Sequence, residues 1–175
     1  MSGFFITGTD TGIGKTVTAA AITLALQGYY WKPVQSGVAD EMADQEQVRL
    51  LSGLGDQHFF PSRYVLQASL SPDQAALREG VNIDLAEIME QKKSISAAPL
   101  IVEGAGGVCV PLNENVCMLD LIQQLGFPVI IVGRGTLGSI NHALLTIAAL
   151  KQREIVIQGM VFSGELNVDN QLAIE

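Results

Sequence analysis

The stretch GFFITGTDTGIGKT, Gly3 to Thr16, decides the fold. Its apolar run Phe4-Phe5-Ile6 reads as a buried strand, and a glycine-rich turn closed by Gly14-Lys15-Thr16 follows. The next segment, VTAAAITLALQ, carries a helical pattern. Strand, glycine turn, Gly-Lys-Thr and helix form the context of a phosphate-binding loop. Glycines let the backbone turn tightly enough to aim several N–H groups at one anion. The helix N-terminus adds unpaired donors and partial positive charge. Gly12, Ile13, Gly14, Lys15, Thr16 and Val17 are therefore candidate nucleotide contacts. Lys15 can bridge the outer phosphates, and the Thr16 hydroxyl can ligate Mg²⁺. The usual spacing GxxxxGK[ST] would need a glycine where Thr9 stands; Gly8 supplies it one residue earlier, so this loop is one residue longer. An ordinary glycine turn with an incidental lysine is the plainer alternative, but it leaves the agreement of strand, Gly-Lys-Thr and helix to chance. The expected ligand is a nucleoside triphosphate.

Outward from the loop, apolar runs and helical patterns alternate. Strands are expected at Gly3–Gly8, Tyr29–Lys32, Pro99–Val102, Phe127–Val132 and Val156–Phe162. Helices are expected at Lys15–Gln27, Glu41–Leu51, Ser71 to Gly80, Asp84 to about Lys93, Met118–Leu125 and Leu137–Gln152. Ser71-Pro72-Asp73 is a helix start: a cap residue, a proline in the first turn and an acid beside it. Asp56–Leu70 reads as a loop, packed down by Phe59, Phe60 and Tyr64. Continuous apolar strands alternating with helices indicate an α/β protein with a mostly parallel sheet covered on both faces. Its ligand would bind at the carboxyl ends of the strands.

The 175 residues suit one domain, 1–175, with a sizeable core, and 48% hydrophobic content fits that reading. A net charge of −8 argues against nucleic-acid or anionic-membrane binding, which needs a basic face. No apolar run approaches the ~18 residues of a membrane span. Cys109 and Cys117 are too few for a disulfide framework and point to a reducing cytoplasm, with both thiols expected buried. His58 and His142 lack the spacing of a zinc site.

Three further residues stand at informative places. Lys32 ends the second strand before Pro33-Val34-Gln35-Ser36-Gly37. It is either a lysine snorkelling off a strand end or a second cation for an anionic substrate. Glu103 follows Leu100-Ile101-Val102 and precedes Gly104-Ala105-Gly106-Gly107. A carboxylate there is the usual second Mg²⁺ anchor of phosphate-loop proteins. The small residues after it let a substrate or phosphate approach backbone N–H groups. Asp44 lies at the front of a helix, where an acid ordinarily complements the dipole; spacing alone gives it no stronger role.

Four segments together resemble the dethiobiotin synthetases: Gly8–Thr16 (GTDTGIGKT), Lys32–Gly37 (KPVQSG), Val102–Gly107 (VEGAGG) with Pro111-Leu112, and Gly133–His142 (GRGTLGSINH). The resemblance spans nearly the whole chain. It implies a phosphate-loop NTPase-like fold and an ATP-dependent cyclo-ligase of biotin synthesis that forms C–N bonds. Diaminopelargonate is carboxylated by CO₂, the carbamate takes the γ-phosphate of ATP, and the second amine closes the ring and expels phosphate. Carried over by position, the resemblance implies Lys15 and Lys32 as catalytic cations and Thr16, Asp44 and Glu103 as Mg²⁺ ligands. It assigns Thr11, Ser36, Gly106, Gly107 and Val108 to substrate. Gly138, Ser139, Ile140 and Asn141 match a loop that reaches the neighbouring subunit's substrate, which implies a homodimer with sites at its interface.

Two departures accompany the match. Where the family carries an Asn-Asp pair that recognises adenine, this chain has Ser163-Gly164. Ser163 takes the base-contacting position, so loosened base selection is expected. The sequence also ends at Glu175, where more of the base pocket is expected. Three rivals remain. An amidoligase of the cobyrinic acid synthase type would carry a glutaminase domain. A partition-type ATPase switch would carry a lysine where Asp10 stands. A non-catalytic binding module would bind nucleotide without turnover.

Overall fold

The computed structural model describes residues 2–136, 138–165 and 167–174. Strand β1 (Gly3–Gly8) leads through the glycine turn into helix α1 (Lys15–Ala25). Then come β2 (Tyr29–Trp31), β3 (Val34–Gln35), α2 (Asp44–Ser52), β4 (Phe59–Phe60) and β5 (Tyr64–Val65). Helices α3 (Pro72–Glu79) and α4 (Leu85–Ser94) precede β6 (Leu100–Gly107) and α5 (Met118–Leu125). The chain continues with β7 (Val129–Arg134), α6 (Ser139–Gln152), β8 (Ile157–Ser163) and the short α7 (Val168–Leu172).

Six strands form one sheet in the order β4-β2-β6-β1-β7-β8, and every pairing is parallel. The expected α/β architecture is therefore the observed one. Alternation along the strands splits the core in two. Phe5, Trp31, Leu100, Val102, Val129 and Ile131 face one side, under helices α3, α4 and α5. Ile6, Tyr30, Ile101 and Val132 face the other, against Ala19, Ala20 and Val48 of α1 and α2. Both faces are covered, which is why these strands read as unbroken apolar runs. Glycine is demanded where the layers touch: a Cβ at Gly104 would stand 2.9 Å from the Phe5 ring and 3.2 Å from the Met118 sulfur.

Helix ends follow local chemistry. Asp84 caps α4 by accepting from the Ala86 N–H at 2.8 Å. Pro72 sits in the first turn of α3, and Gly80 closes that helix at φ 66°. The helix expected from Glu41 starts three residues later, at Asp44. The preceding strap is tied sideways instead, with Val38 N–H donating to Leu66 and Ala39 N–H to Gln67. The region 56–70 is not wholly irregular: a 3₁₀ turn at Asp56–His58 leads into β4, and β5 pairs with β3. The expected start of α6 at Leu137 falls outside the described residues, as does Glu175.

The cysteine expectation fails. Cys109 is exposed in the turn after β6, and Cys117 is only half-buried. Cys117 instead caps α5, its N–H donating to Asp120 Oδ2 at 2.9 Å. Among the described residues, no helix is long and apolar enough to cross a membrane.

Candidate functional site

The carboxyl ends of β1, β2 and β6 open onto a cavity of about 710 Å³. The glycine loop forms one wall. Gly12 and Gly14 take positive φ, 65° and 95°, as the chain turns into α1. A Cβ on Gly8 would lie 2.6 Å from the Ile13 side chain and 3.1 Å from that of Lys15. The extra loop residue is thus accommodated by folding the loop back over a bare glycine. Ile13 is buried and anchors the loop to the core. The Lys15 ammonium donates to the Asp10 carbonyl at 2.8 Å. With no acid in its first turn, α1 points an uncompensated N-terminus into the cavity.

The opposite wall carries charge. Strand parity puts Tyr30 of β2 and Lys32, the residue just past its end, on one face, and Ile101 and Glu103 on the same face of β6. The pairing of Tyr30 with Ile101 sets them side by side. Lys32 is 4% exposed and Glu103 1%. The Lys32 ammonium lies 2.5 Å from Asp44 Oδ2 and 3.2 Å from Glu103 Oε1. The Thr16 hydroxyl sits between the same two acids, 3.0 Å from Asp44 Oδ1 and 3.1 Å from Glu103 Oε1. Of the two readings of Lys32, the buried cation is the one observed. Asp44 reaches this cluster because α2 packs along α1, a tertiary fact that helix position could not reveal.

Burial in such a cluster is tolerable only because the charges are paired. Burial pulls the Lys32 ammonium down, but Glu103 and Asp44 outweigh it and leave its pKa raised. Burial pushes the Asp44 carboxyl up, and Lys32 more than reverses this. Lys15 has no such close partner: burial, reinforced by Lys32 and only partly opposed by Glu103, Asp44 and Asp10, lowers it to about 8. Anionic phosphates would supply the missing compensation. Burial first, then Glu103 and Asp44, hold the Tyr30 phenol well above its ordinary value, so it stays protonated.

The donor set fits Mg²⁺. One hydroxyl and two carboxylates converge, and a small hard cation that keeps several waters needs no more from the protein beside a triphosphate. Among the described residues, no group of three or more His, Cys, Asp or Glu side chains could hold a metal by itself. That absence is compatible with a cation shared with phosphates.

The cavity also collects Thr11, Ser36 and Gly106, together with Val17. Other expected positions lie elsewhere. Val108 is buried in the larger core and Gly107 packs against the Gly8 carbonyl. Gly138 caps α6, Ser139 donates to the Thr136 carbonyl at 2.6 Å, and Asn141 is exposed; none of these, nor Ile140, lines the cavity of this chain. Ser163 stands behind the loop, its hydroxyl donating to the Ile13 carbonyl at 2.5 Å. Residues missed at the sequence level include Gln35, whose amide oxygen accepts from the Asp44 N–H at 3.1 Å. Met42, Leu70, Pro72 and Val110 give the cavity an apolar side. Gln35 was within reach through KPVQSG; the apolar side needed the tertiary fold.

A family model described as an AAA domain matches residues 2–175. The ATP-dependent dethiobiotin synthetase of Novosphingobium aromaticivorans is 45% identical over 174 residues, which cover 99% of this chain and 82% of that relative. The biotin biosynthesis bifunctional protein of Bordetella avium is 44% identical over 173 residues, and the chain spans 37% of its length while 99% of this chain is matched. A ParA family ATPase from Chlorobium tepidum aligns over 99% of this chain and 80% of its own, with a TM-score of 0.56 at 15% identity. That last likeness is one of fold.

Proposed function

The chain belongs to the AAA-domain family defined by that model and, within it, to the ATP-dependent dethiobiotin synthetases; from this premise we propose that it converts 7,8-diaminopelargonate, CO₂ and ATP into dethiobiotin, ADP and phosphate. One observation carries the mechanism: Lys15 and Thr16 of the loop face Lys32, Asp44 and Glu103 across a single cavity. Phosphoryl transfer needs positioning and charge neutralisation more than a protein nucleophile.

The loop N–H groups from Gly12 to Val17 cradle the triphosphate, and Lys15 bridges its outer phosphates. Thr16, Asp44 and Glu103 would hold Mg²⁺, which would supply charge neutralisation for the phosphate oxygens. One substrate amine adds to CO₂ and loses a proton, giving a carbamate. Lys32 faces that carbamate. A carbamate oxygen attacks the γ-phosphorus as the bond to ADP breaks. The second amine then attacks the carbonyl carbon, loses its proton, and phosphate leaves. Thr11, Ser36 and the Gly106 turn position the substrate, and Met42, Leu70, Pro72 and Val110 suit its methylene chain.

We read residues 1–175 as one domain working in the cytoplasm as a homodimer. Gly138–Asn141 would reach the partner's substrate, since this loop opens α6 away from its own cavity. The test is phosphate release from ATP with each substrate omitted in turn. Release should require both diaminopelargonate and bicarbonate. Release indifferent to diaminopelargonate would instead mark a nucleotide switch.

A further inference from the structure

Glu103 has two carboxylate oxygens, and the structure treats them differently. Oε1 faces the cavity, where Thr16 donates to it at 3.1 Å and Lys32 at 3.2 Å. Oε2 turns inward and accepts from the Tyr30 hydroxyl at 2.9 Å. Tyr30 is fully buried, its ring packed beside Phe59 and held in the smaller core with Ile101 and Val48. It sits on β2 two residues before Lys32, which follows the strand directly, so the same side of this segment supplies a partner to each oxygen. A carboxylate can rotate about its terminal bond at little cost. Here a quarter-turn would break the Tyr30 bond and leave the buried phenol donor unpaired, so the plane of the carboxylate is held.

We propose that Tyr30 is the positioning residue of the proposed Mg²⁺ site: its hydroxyl holds one Glu103 oxygen inward and so fixes the carboxylate plane with the other oxygen presented to the cation beside Thr16. This rests on the assignment of Glu103 as a metal ligand. Gln35 plays the matching part for Asp44 from the backbone side, through the Asp44 N–H. Each acid is therefore supported from behind, Glu103 by Tyr30 of β2 and Asp44 by Gln35 of β3, and the loop hydroxyl meets both from the front.

Partners behind a metal ligand typically contribute 10- to 100-fold in metal affinity. Mn²⁺ in place of Mg²⁺ allows binding to the enzyme–ADP complex to be followed by electron paramagnetic resonance, independently of turnover. Tyr30→Phe should weaken Mn²⁺ binding about tenfold. Its affinity for metal-free ADP, measured by calorimetry, should stay within twofold and also reports an intact fold. Tyr29→Phe, whose ring stacks on His58 rather than reaching Glu103, should leave both unchanged. In a Glu103→Gln background, Tyr30→Phe should add less than twofold, because the two residues act as one unit. Mn²⁺ affinity within twofold of wild type in Tyr30→Phe, or full additivity in the double variant, overturns the proposal alone. Unchanged Mn²⁺ affinity in Glu103→Gln overturns the metal assignment as well.

Discussion

The two sides of the sheet treat their surroundings in opposite ways. Between β1, β2 and β6, charge is buried and answered: Lys32, Asp44, Glu103, Thr16 and Tyr30 satisfy one another within a few ångströms. Around β8, α6 and α7, apolar side chains are left exposed instead. Leu144 and Leu145 are 44% and 62% exposed, Val156 and Val168 more than 60%. Exposed apolar side chains of this kind gain from burial against another surface. The difference teaches a division of labour. The first region is prearranged within one chain, so substitutions there should alter chemistry. If the second meets the partner subunit proposed above, substitutions there should alter assembly first and turnover only as a consequence.

The sharpest blow to the prearranged side is Lys15→Ala. It removes a buried cation aimed at developing phosphoryl charge, where one lost preorganised group costs about 3 kcal/mol or more. Turnover should fall a hundredfold or further in steady-state assays, and a variant keeping most of its activity would remove Lys15 from the catalytic account. Glu103→Gln should come next. The amide keeps the shape but loses the charge, and the Mg²⁺ half-saturation point should rise about tenfold or more, further than the KM for diaminopelargonate. An unmoved Mg²⁺ titration would separate Glu103 from the metal.

On the open side, Leu145→Glu places a charge on an exposed helix face without disturbing the core. Light scattering should show dimers of the parent chain giving way to monomers. Turnover should drop several-fold, up to about tenfold, as Gly138–Asn141 lose the partner's substrate. A fully active wild-type monomer would dissolve the contrast between the two regions.

How far each region could be read in advance differs for the same reason. The loop, α1, β6 and the glycine or capping ends of α3, α4 and α5 are encoded locally, by turn chemistry and period, and they were legible. Lys32 was legible only as one of two readings, a strand-end lysine or a second cation, and Asp44 only as a helix-front acid. Their meeting depends on β2 pairing beside β6 and on α2 packing along α1. The family resemblance decided between the readings of Lys32, and it alone brought Asp44 forward. The two-residue strands β3, β4 and β5 are equally invisible locally, because each exists through its neighbour rather than its own propensity. The buried-thiol expectation failed from a base-rate argument: Cys109 follows a glycine run in a turn, where backbone geometry and not side-chain polarity sets exposure.

Ser163 lies at the boundary between the two regions, at the end of β8 and against the loop, and there the smallest effect is expected. An asparagine could offer a base edge both a donor and an acceptor. Ser163 offers one hydroxyl, and its hydrogen is given to the Ile13 carbonyl. What holds the loop is thus not free to read the base. Each base-edge contact left unmade removes ~1 kcal/mol of selectivity, so ATP should be preferred by less than about tenfold over GTP or CTP, with Gly12–Thr16 dominating affinity for all three. The two roles of the hydroxyl can be separated. If Ser163 only props the loop, Ser163→Ala should weaken ATP, GTP and CTP alike, by about fivefold for one lost hydrogen bond of ~1 kcal/mol. If it reads the base, the three should diverge in kcat/KM. A hundredfold ATP preference in the parent chain that survives Ser163→Ala would mean that other residues recognise adenine, and the account of Ser163 as a loop brace would then carry no consequence for nucleotide choice.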